Sequence, residues 1–170
     1  MRSKYIQILF LSLIIFSGLS CNIYSFRGNN PPEGIKTIAV PLIDDQSGFS
    51  ESGLREIFTD LLKNKISGDN TFLIADKNTA DAILYCTIKS IKDEALVISG
   101  NENVTKRKIT ISVSVRFENL LKKRLISERQ YDNWGEYNSS SASFSERKNG
   151  ISTATDKICE DIVTDITSNW

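Results

Sequence analysis

The stretch ITISVSVRF, residues Ile109–Phe117, alternates apolar and polar side chains more regularly than any other part of this chain. Successive side chains of a β-strand point to opposite faces, so the isoleucines, valines and phenylalanine share one face and the polar residues share the other. A strand of this kind is typical of an antiparallel sheet that is covered on one side only. We therefore predict a long strand over Val104–Leu121, with one face buried and one face hydrated.

Two further segments have the helical spacing needed to cover that apolar face. In each, apolar residues recur every three or four positions and form a single stripe. The stripe of the first consists of Leu54, Ile57, Phe58, Leu61, Leu62 and Ile66. The stripe of the second consists of Ile151, Ala154, Ile158, Cys159, Ile162, Val163 and Ile166. We expect Gly68 to end the first helix in a left-handed conformation, and the serine-rich stretch Ser139–Ser145 to form a loop before the second.

Shorter segments predict the rest of one sheet. Ile35–Ile43 alternates but contains Pro41, which has no N–H to donate, so this strand ends early or lies at an edge. Asp44–Ser50 reads as a loop. Two more strands are expected, one buried on both faces, Ala82–Ile91, and one polar, Leu125–Tyr137. The short apolar piece Phe72–Ala75 either forms a further, minor strand or does not join the sheet. This order predicts an α+β fold, a two-layer sandwich with two helices packed on one face of a mostly antiparallel or mixed four-stranded sheet.

The N-terminus indicates where the protein resides. Arg2 and Lys4 precede an apolar run over Ile6–Phe16, and small residues then lead to Cys21. This pattern is typical of a secretory signal peptide, and the run is shorter than the roughly 20 residues of a membrane span. A cysteine at this place is the lipidated residue of lipoproteins, and a plain signal peptide with an incidental cysteine is the alternative. We predict a cleaved signal peptide over residues 1–20, a lipid-anchored tether over residues 21–34 and one domain over residues 35–170.

Composition gives little support for catalysis. The 170 residues include no histidine, which is the commonest general base and a frequent zinc ligand. Removing residues 1–20 leaves 19 lysines and arginines against 21 acids, a net charge of −2 that gives no indication of nucleic acid as a partner. We therefore expect no catalytic residue, no metal and no cofactor. Cys86 and Cys159 fall on apolar faces and are either two separate buried thiols or a disulfide that joins a strand to a helix.

The mature N-terminus resembles that of a known lipoprotein family. After Cys21 the chain reads NIYSFRG, and residues 31–41 read PPEGIKTIAVP. Both stretches are similar to the tether and first strand of the LptE family of lipopolysaccharide-assembly lipoproteins. Ala80–Leu84 is similar to the start of that family's second long strand, and the order of elements matches along nearly the whole mature chain. Two stretches depart from the family's pattern, one after the first strand and one at a hairpin tip that lacks the expected glycine: Asp44–Ser47 and Asn119–Lys122.

The resemblance implies a non-enzymatic outer-membrane lipoprotein, palmitoylated at its N-terminal cysteine and held on the periplasmic side. Proteins of this family partner the β-barrel LptD, plug it, and help lipopolysaccharide to be transported and inserted into the outer membrane. Lipopolysaccharide itself is the second partner that the resemblance implies. Of the family's functional residues, only the lipid cysteine, Cys21, is carried over to this sequence.

The charge distribution suggests where an anionic ligand could bind. Residues 104–124 contain seven cations and one acid, Glu118, which gives a local net charge of +6. Lysine and arginine bind phosphates and acidic sugars through charge-assisted hydrogen bonds. The candidates for lipopolysaccharide binding are Lys106, Arg107, Lys108 and Arg116. The alternative is that these are ordinary solvated strand ends.

A second cluster follows at the predicted hairpin tip. Two leucines are unusual in a turn, so they indicate either contact with a partner or continuation of the strand. The partner-contact candidates are Leu120, Leu121, Lys122, Lys123 and Arg124. At about 3.4 Å per residue this cluster lies some 40 Å from Lys108, so the two clusters cannot bind one lipid head group. Either one cluster alone is used, or the polar face of the strand meets a barrel wall.

Two other functions stay open at this point. A periplasmic lipoprotein that regulates a cell-wall synthase usually has a long tether, whereas here about 13 residues separate Cys21 from the first strand, a reach of about 45 Å. The third possibility is a hydrolase that uses Asp44 and Asp45. Adjacent residues of an extended chain point to opposite faces, which argues against a shared site. The short tether favours a partner at the membrane.

We expect Cys21→Ser to leave an unprocessed precursor, because a serine cannot receive the diacylglyceryl group that precedes cleavage. The wild-type chain should begin at Cys21 and carry two or three acyl chains, enough for stable anchoring. Intact-mass spectrometry of detergent-extracted protein measures both. A wild-type chain that is cleaved normally but carries no acyl chain would contradict the prediction.

Overall fold

The computed structural model describes residues 31–49, 51–99, 103–139 and 143–168. The predicted signal peptide, Cys21 and most of the predicted tether lie outside the described residues. The described chain contains six strands and two helices: β1 (Thr37–Ala39), β2 (Asp44–Asp45), α1 (Leu54–Asp69), β3 (Leu73–Ile74), β4 (Ala82–Ser99), β5 (Asn103–Asn119), β6 (Arg124–Asn138) and α2 (Ser143–Ser168).

The strands form one mixed sheet. Its order is β3-β1-β4-β5-β6, and β2 also pairs with β4. β4, β5 and β6 are antiparallel, whereas the short strands pair in parallel. The α+β class is confirmed, but the predicted four-stranded sheet is wrong because the sheet has six strands. Asp44–Asp45, predicted as loop, pairs with Thr87 and Ile88, and β3 adds a sixth strand beside β1. β1 covers three residues, consistent with the early end that Pro41 predicts.

β4 is longer than its apolar pattern indicates. The prediction ends at Ile91, but pairing with β5 continues through the charged residues Lys92–Glu94 as far as Ser99. The ladder continues because backbone N–H and C=O groups bond across strands whatever the side chains are. Both faces of β4 are buried only over Ala82–Leu84, so the expectation of burial on both faces holds for these three residues alone.

One face of the sheet and both helices form the main core. The odd-numbered side chains of β5 from Ile109 to Phe117 are at most 3% exposed. They lie in one cluster with the apolar stripes of the two helices, which include Leu54, Phe58, Leu62, Ile66, Ile151, Ala154, Ile158, Ile162 and Ile166. The two helices therefore pack on the apolar face that the alternation of β5 predicts.

The helices depart from their predicted details in three places. Ile57 is 60% exposed, because it lies at the margin of the α1 stripe and not at its centre. Gly68 lies inside α1, and the left-handed residue that ends the helix is Asn70, with φ 61°. Asparagine tolerates this conformation because its short polar side chain bonds locally, here to the Gly68 carbonyl at 3.1 Å. α2 begins at Ser143, within the stretch predicted as a loop.

β6 lies at one end of the sheet order and is held to α2 by polar contacts. Arg129 donates a hydrogen bond to Asp165, and the Tyr131 hydroxyl donates to the same carboxylate at 2.6 Å. Asn133 donates to Asp161 at 2.9 Å. Burial, reinforced by the bond to Asp165, raises the pKa of Tyr131 above its usual range. These contacts explain how a strand with few apolar residues stays attached to the core.

Farther along β6 the backbones of the strand and the helix come into contact. A Cβ atom at Gly135 would lie 2.1 Å from the Gly150 carbonyl oxygen and 3.0 Å from the Thr153 Cβ. Beside this contact, Lys157 of α2 donates to the Trp134 carbonyl at 2.9 Å, and its Nζ lies 4.5 Å from the centre of the Trp134 ring. Only a glycine at position 135 allows this approach.

The chain enters the domain beside the turn that joins β5 to β6. The Asp81 carboxylate, just before β4, accepts the backbone N–H groups of Lys36 and Thr37 at 2.9 Å each. The Asp81 carbonyl accepts the N–H of Leu120, the first residue after β5, at 2.8 Å. The backbone hydrogen bonds, above all that from Lys36, lower the pKa of Asp81 below its ordinary value. Asp81 therefore joins the start of the domain to the β5–β6 turn.

Gly135→Ala should destabilise the protein by about 3 kcal/mol or more, because the added methyl group would overlap a backbone carbonyl. Gly68→Ala is the matched control, since it lies in a helix with no atom within 4 Å of the added Cβ, and it should stabilise by about 0.5–1 kcal/mol. Urea denaturation followed by circular dichroism measures both changes. Wild-type stability in the Gly135 variant would show that α2 does not pack this closely on β6.

Asp81→Asn should lower the free energy of unfolding by about 1 kcal/mol at neutral pH, since two backbone N–H groups lose a partly exposed charged acceptor. Because the folded pKa is lowered, this contribution is present above the unfolded pKa of about 4 and is lost as the pH falls through the folded value. The difference from wild type should therefore shrink as the pH falls below about 5.

Asp60→Asn, on the exposed side of α1, is the control for the Asp81 variant, because it removes a surface carboxylate elsewhere in the domain. Thermal denaturation across this pH range measures both variants. A difference between Asp81→Asn and wild type that does not change with pH would show that the carboxylate charge contributes nothing.

Candidate functional site

No helix among the described residues covers the second face of the sheet. We call it the open face, and on β5 it carries the even-numbered side chains, which are exposed or half-buried: Lys106, Lys108, Thr110, Ser112, Ser114 and Arg116. Ser112 donates a hydrogen bond across the strands to Asp132 of β6. The hydrated face predicted for β5 is therefore present, and the neighbouring strands extend it on both sides.

The four residues predicted to bind lipopolysaccharide do not share one face. Lys106, Lys108 and Arg116 lie on the open face. Arg107 has the opposite orientation, because it continues the row of odd-numbered side chains that begins with Ile109. The structure therefore separates Arg107 from the other three.

Arg107 is committed to contacts within the sheet. Its Nε donates to one Asp93 carboxylate oxygen at 2.7 Å, and the Tyr137 hydroxyl donates to the other at 2.7 Å. The bond to Asp93 raises the pKa of Arg107, and burial together with that carboxylate raises the pKa of Tyr137. Because these residues belong to three adjacent strands, the cluster joins the strands where the apolar row of β5 ends.

Much of the positive charge on β5 is balanced by acids close by in the sheet. Arg116 pairs with Glu118 at 2.7 Å, and Lys106 pairs with Glu136 at 3.6 Å. Lys108 lies directly opposite Glu136 in the ladder. Oppositely charged side chains in these positions attract each other, so the open face carries paired charges and not the +6 counted along the sequence.

A recess of about 470 Å³ lies on the open face towards the β5–β6 turn. Its walls combine two cations, two acids and three hydroxyl groups: Tyr85, Thr87, Lys89, Ser114, Arg116, Glu118 and Glu128. A surface with both donors and acceptors suits sugar hydroxyl groups or water better than it suits an isolated phosphate.

The second predicted cluster forms the turn between β5 and β6. Lys123 has a positive φ of 48°, and the Lys122 N–H donates to the side-chain oxygen of the buried Asn119 at 2.7 Å. Continuation of the strand, which the sequence left open, is therefore wrong. Leu120 is half-buried against a small apolar cluster, whereas Leu121 is 66% exposed. Asn119 is the signal that could have predicted this turn, because asparagine side chains bond to the backbone of the residues that follow.

Lys106 and Lys108 lie at the opposite end of β5 from the turn cluster, whereas Arg116 lies near the turn. Lys106 pairs in register with Asn138, and Asn119 pairs with Arg124 at the other end of the same ladder. At about 3.4 Å per residue the two ends are about 40 Å apart. One small ligand cannot contact both.

The two cysteines that follow Cys21 are not poised for reaction. Cys86 and Cys159 are free thiols in the core, as the alternative of two separate buried thiols predicts. Burial raises the pKa of Cys86 to about 12 and also raises that of Cys159. Within the part of the chain that the structure describes, no group of three potential ligands is placed to hold a metal ion. In the same residues, neither helix has the length and apolar character needed to cross a membrane.

The two adjacent aspartates considered for hydrolysis have separate partners. Asp44 accepts a hydrogen bond from the Gln46 side chain at 2.9 Å, and Asp45 accepts the backbone N–H of Ser47 at 2.8 Å. Both carboxylates therefore take part in local turn contacts after β2.

Several solved structures share this fold at low sequence identity. A minor lipoprotein from Acinetobacter baumannii is 12% identical with a TM-score of 0.54, over 78% of this chain and 92% of that one. A lipoprotein B from Nitrosomonas europaea is 12% identical with a TM-score of 0.53, over 81% and 84%. The PelC dodecamer from Paraburkholderia phytofirmans is 9% identical with a TM-score of 0.52, over 82% and 94%. At such identities the likeness concerns the fold alone.

No curated protein sequence matches the chain significantly. One family model, however, covers nearly the whole described domain. The model for LptE, described as lipopolysaccharide-assembly, matches residues 35–168. The match begins where the predicted tether ends and includes both helices and the whole sheet. It agrees with the resemblance seen in the mature N-terminus and in the order of elements. The chain therefore belongs to the LptE lipopolysaccharide-assembly family.

Proposed function

We propose that this protein is a non-enzymatic lipoprotein, anchored through Cys21 to the periplasmic side of the outer membrane. There it partners an LptD-like β-barrel in the transport and insertion of lipopolysaccharide. The observation that carries the proposal is the family match over residues 35–168. The basic and apolar segments before Cys21 support export and anchoring.

The open face is the surface we assign to the barrel. It runs the length of β5 and is rich in hydroxyl groups and paired charges, among them Lys106 with Glu136 and Arg116 with Glu118. Interfaces of this polar kind are wet and form through many hydrogen bonds and bridging waters. A barrel wall that alternates polar residues into its lumen presents matching chemistry. The core does not depend on this face, since the apolar side chains of β5 point to the helices.

Lipopolysaccharide is the ligand we assign to the cations of the open face. Lys106, Lys108 and Arg116 are the three candidates that remain accessible there, and lysine and arginine bind phosphates through charge-assisted hydrogen bonds. Arg107 is bonded to Asp93 and holds neighbouring strands of the sheet together. The open-face cations and the turn cations should therefore be tested separately, with Arg107 left unchanged.

The protein should co-purify with a large outer-membrane β-barrel at about one copy of each. Extraction of membranes with a mild detergent, affinity purification through a C-terminal tag and mass spectrometry would identify the partner. Recovery of a cell-wall synthase in place of a barrel would contradict the proposal and favour the regulatory lipoprotein.

The double variant Lys106→Gln, Lys108→Gln should weaken lipopolysaccharide binding about fivefold, since each exposed charge contributes about 0.5 kcal/mol. The loss should be larger at low salt, where exposed charges are less screened. Titration with fluorescent lipopolysaccharide measures the affinity, and circular dichroism checks the fold.

The matched control is Lys122→Gln with Lys123→Gln, which removes as many charges about 40 Å away. Arg116 is left unchanged in both variants because it lies beside Lys123 and Arg124. If it lowers the affinity as much as the open-face variant does, the binding is unspecific and the assigned site is wrong. If neither variant changes the affinity, the cations of β5 are a solvated surface, and the role must lie in barrel plugging.

A further inference from the structure

The β5–β6 turn lies beside the point where the tether joins the domain. Asp81 links them, because its carboxylate holds the backbone of Lys36 and Thr37 while its carbonyl holds the N–H of Leu120. The turn is therefore at the end of the domain where the chain enters after the predicted tether. The β4–β5 connection and the start of α2 lie at the opposite end, because β6 leads away from the turn to α2.

The turn combines exposed leucines with uncompensated positive charge. Leu121 is 66% exposed and Leu125 is 46% exposed, with Lys122, Lys123 and Arg124 between them. Residues 119–127 contain no acid. Among the described residues, no carboxylate forms an ion pair with any of these three cations. This differs from the open face, where Lys106 and Arg116 each have an acidic partner.

The turn is held in a defined shape. The side chain of the buried Asn119 accepts the Lys122 N–H, Lys123 has a left-handed backbone, and Leu120 packs under the turn. Leu121 is consequently exposed by the geometry of the turn and cannot fold back onto the core. A recess of about 270 Å³ beside it is lined by Lys123, Arg124 and Leu125 together with the Arg116–Glu118 pair. The only acid in the recess is thus already neutralised.

We infer that this turn is a membrane-contact surface that binds the anionic phosphate groups of phospholipids. Leu121 and Leu125 enter the head-group region, while Lys122, Lys123 and Arg124 bind the phosphates. Cations next to exposed apolar side chains are the combination that interfacial segments use on anionic membranes. The inference rests on the anchor at Cys21 in the proposed function, because three cations and two leucines bind a membrane only weakly on their own. A lipid anchor on a chain that enters the domain beside the turn raises the effective concentration of the turn at the surface.

This contact would orient the domain. With the turn on the membrane, β5 runs away from the surface, and the open face stands roughly upright. The lipid anchor alone would attach the protein to the membrane at a single point. The turn therefore adds a second attachment that fixes which side of the domain faces a partner.

The test is to place a label at position 121 of the full-length, processed protein. The variant Leu121→Cys carries an environment-sensitive fluorophore, and Cys86 and Cys159 should not react because both are buried. The labelled protein is bound to vesicles of phosphatidylethanolamine and phosphatidylglycerol whose acyl chains are brominated near the head group. We expect a blue shift and several-fold stronger quenching than with Phe144→Cys, which labels an apolar residue that is 61% exposed at the opposite end.

Charge removal tests the phosphate contacts. Lys122→Gln, Lys123→Gln, Arg124→Gln in the labelled chain should reduce quenching at position 121 by about half or more, as should raising the salt to 1 M, where the Debye length falls to about 3 Å. Lys106→Gln with Lys108→Gln should leave it unchanged. Replacing phosphatidylglycerol by phosphatidylcholine should have the same effect as the triple variant.

Flotation of the same vesicles separates this inference from the proposed function. Vesicles that carry the protein but quench positions 121 and 144 equally would overturn the membrane contact and leave the anchor intact. A chain that fails to float would overturn both the anchor and the contact. The barrel partnership is tested elsewhere, since these vesicles contain neither a barrel nor lipopolysaccharide.

Discussion

The rest of the structure depends on the five apolar side chains of β5 that must all face away from water. They alternate with polar residues, so a shift of one position in the pairing of β5 would turn the apolar row to solvent and bury the polar row. Full burial stabilises each such side chain by roughly 1.5–3 kcal/mol, far more than any exposed ion pair contributes. β4 and β6 are fixed in register by this condition, and α1 and α2 supply the second layer that completes the core.

Where the apolar row of β5 ends, clusters of polar side chains hold the strands to one another and to α2. At one end Asp93 joins Arg107 to Tyr137 across three strands. Along β6, Asp165 receives both Arg129 and Tyr131 from the strand beneath α2. These carboxylates satisfy several donors each, as partly buried charged groups require. The open face takes no part in these clusters, so its residues are available for contacts with other molecules.

Local patterns in the sequence predicted the α+β class, the alternation of β5 and the stripes of both helices, because each depends on residues close together in the chain. Pairings between distant residues were missed. Asp44–Asp45 has the composition of a loop and becomes a strand only because Thr87 and Ile88 lie beside it. The charge of +6 was counted along one strand, whereas Glu136 belongs to the next strand and can be found only from the register.

The left-handed residue that ends α1 was also predicted wrongly: it is Asn70 and not Gly68. Both residues can adopt a positive φ, and in the structure Asn70 does so while Gly68 stays within the helix. For the candidate site, the sequence located both basic clusters and the hydrated face. It could not show that Arg107 is used within the sheet, because Asp93 and Tyr137 lie on other strands.

The Lys157 contact with Trp134 has a consequence for self-association. β6 is the terminal strand of the sheet order, so the backbone groups along its outer side are a template on which a strand from another copy could add. Lys157 donates a hydrogen bond to the Trp134 carbonyl and places its positive charge beside the second half of β6. An incoming strand would have to displace this lysine, leave its ammonium group without the carbonyl and lift it from the indole ring. A single helix side chain thereby discourages fibre-like stacking of copies through β6.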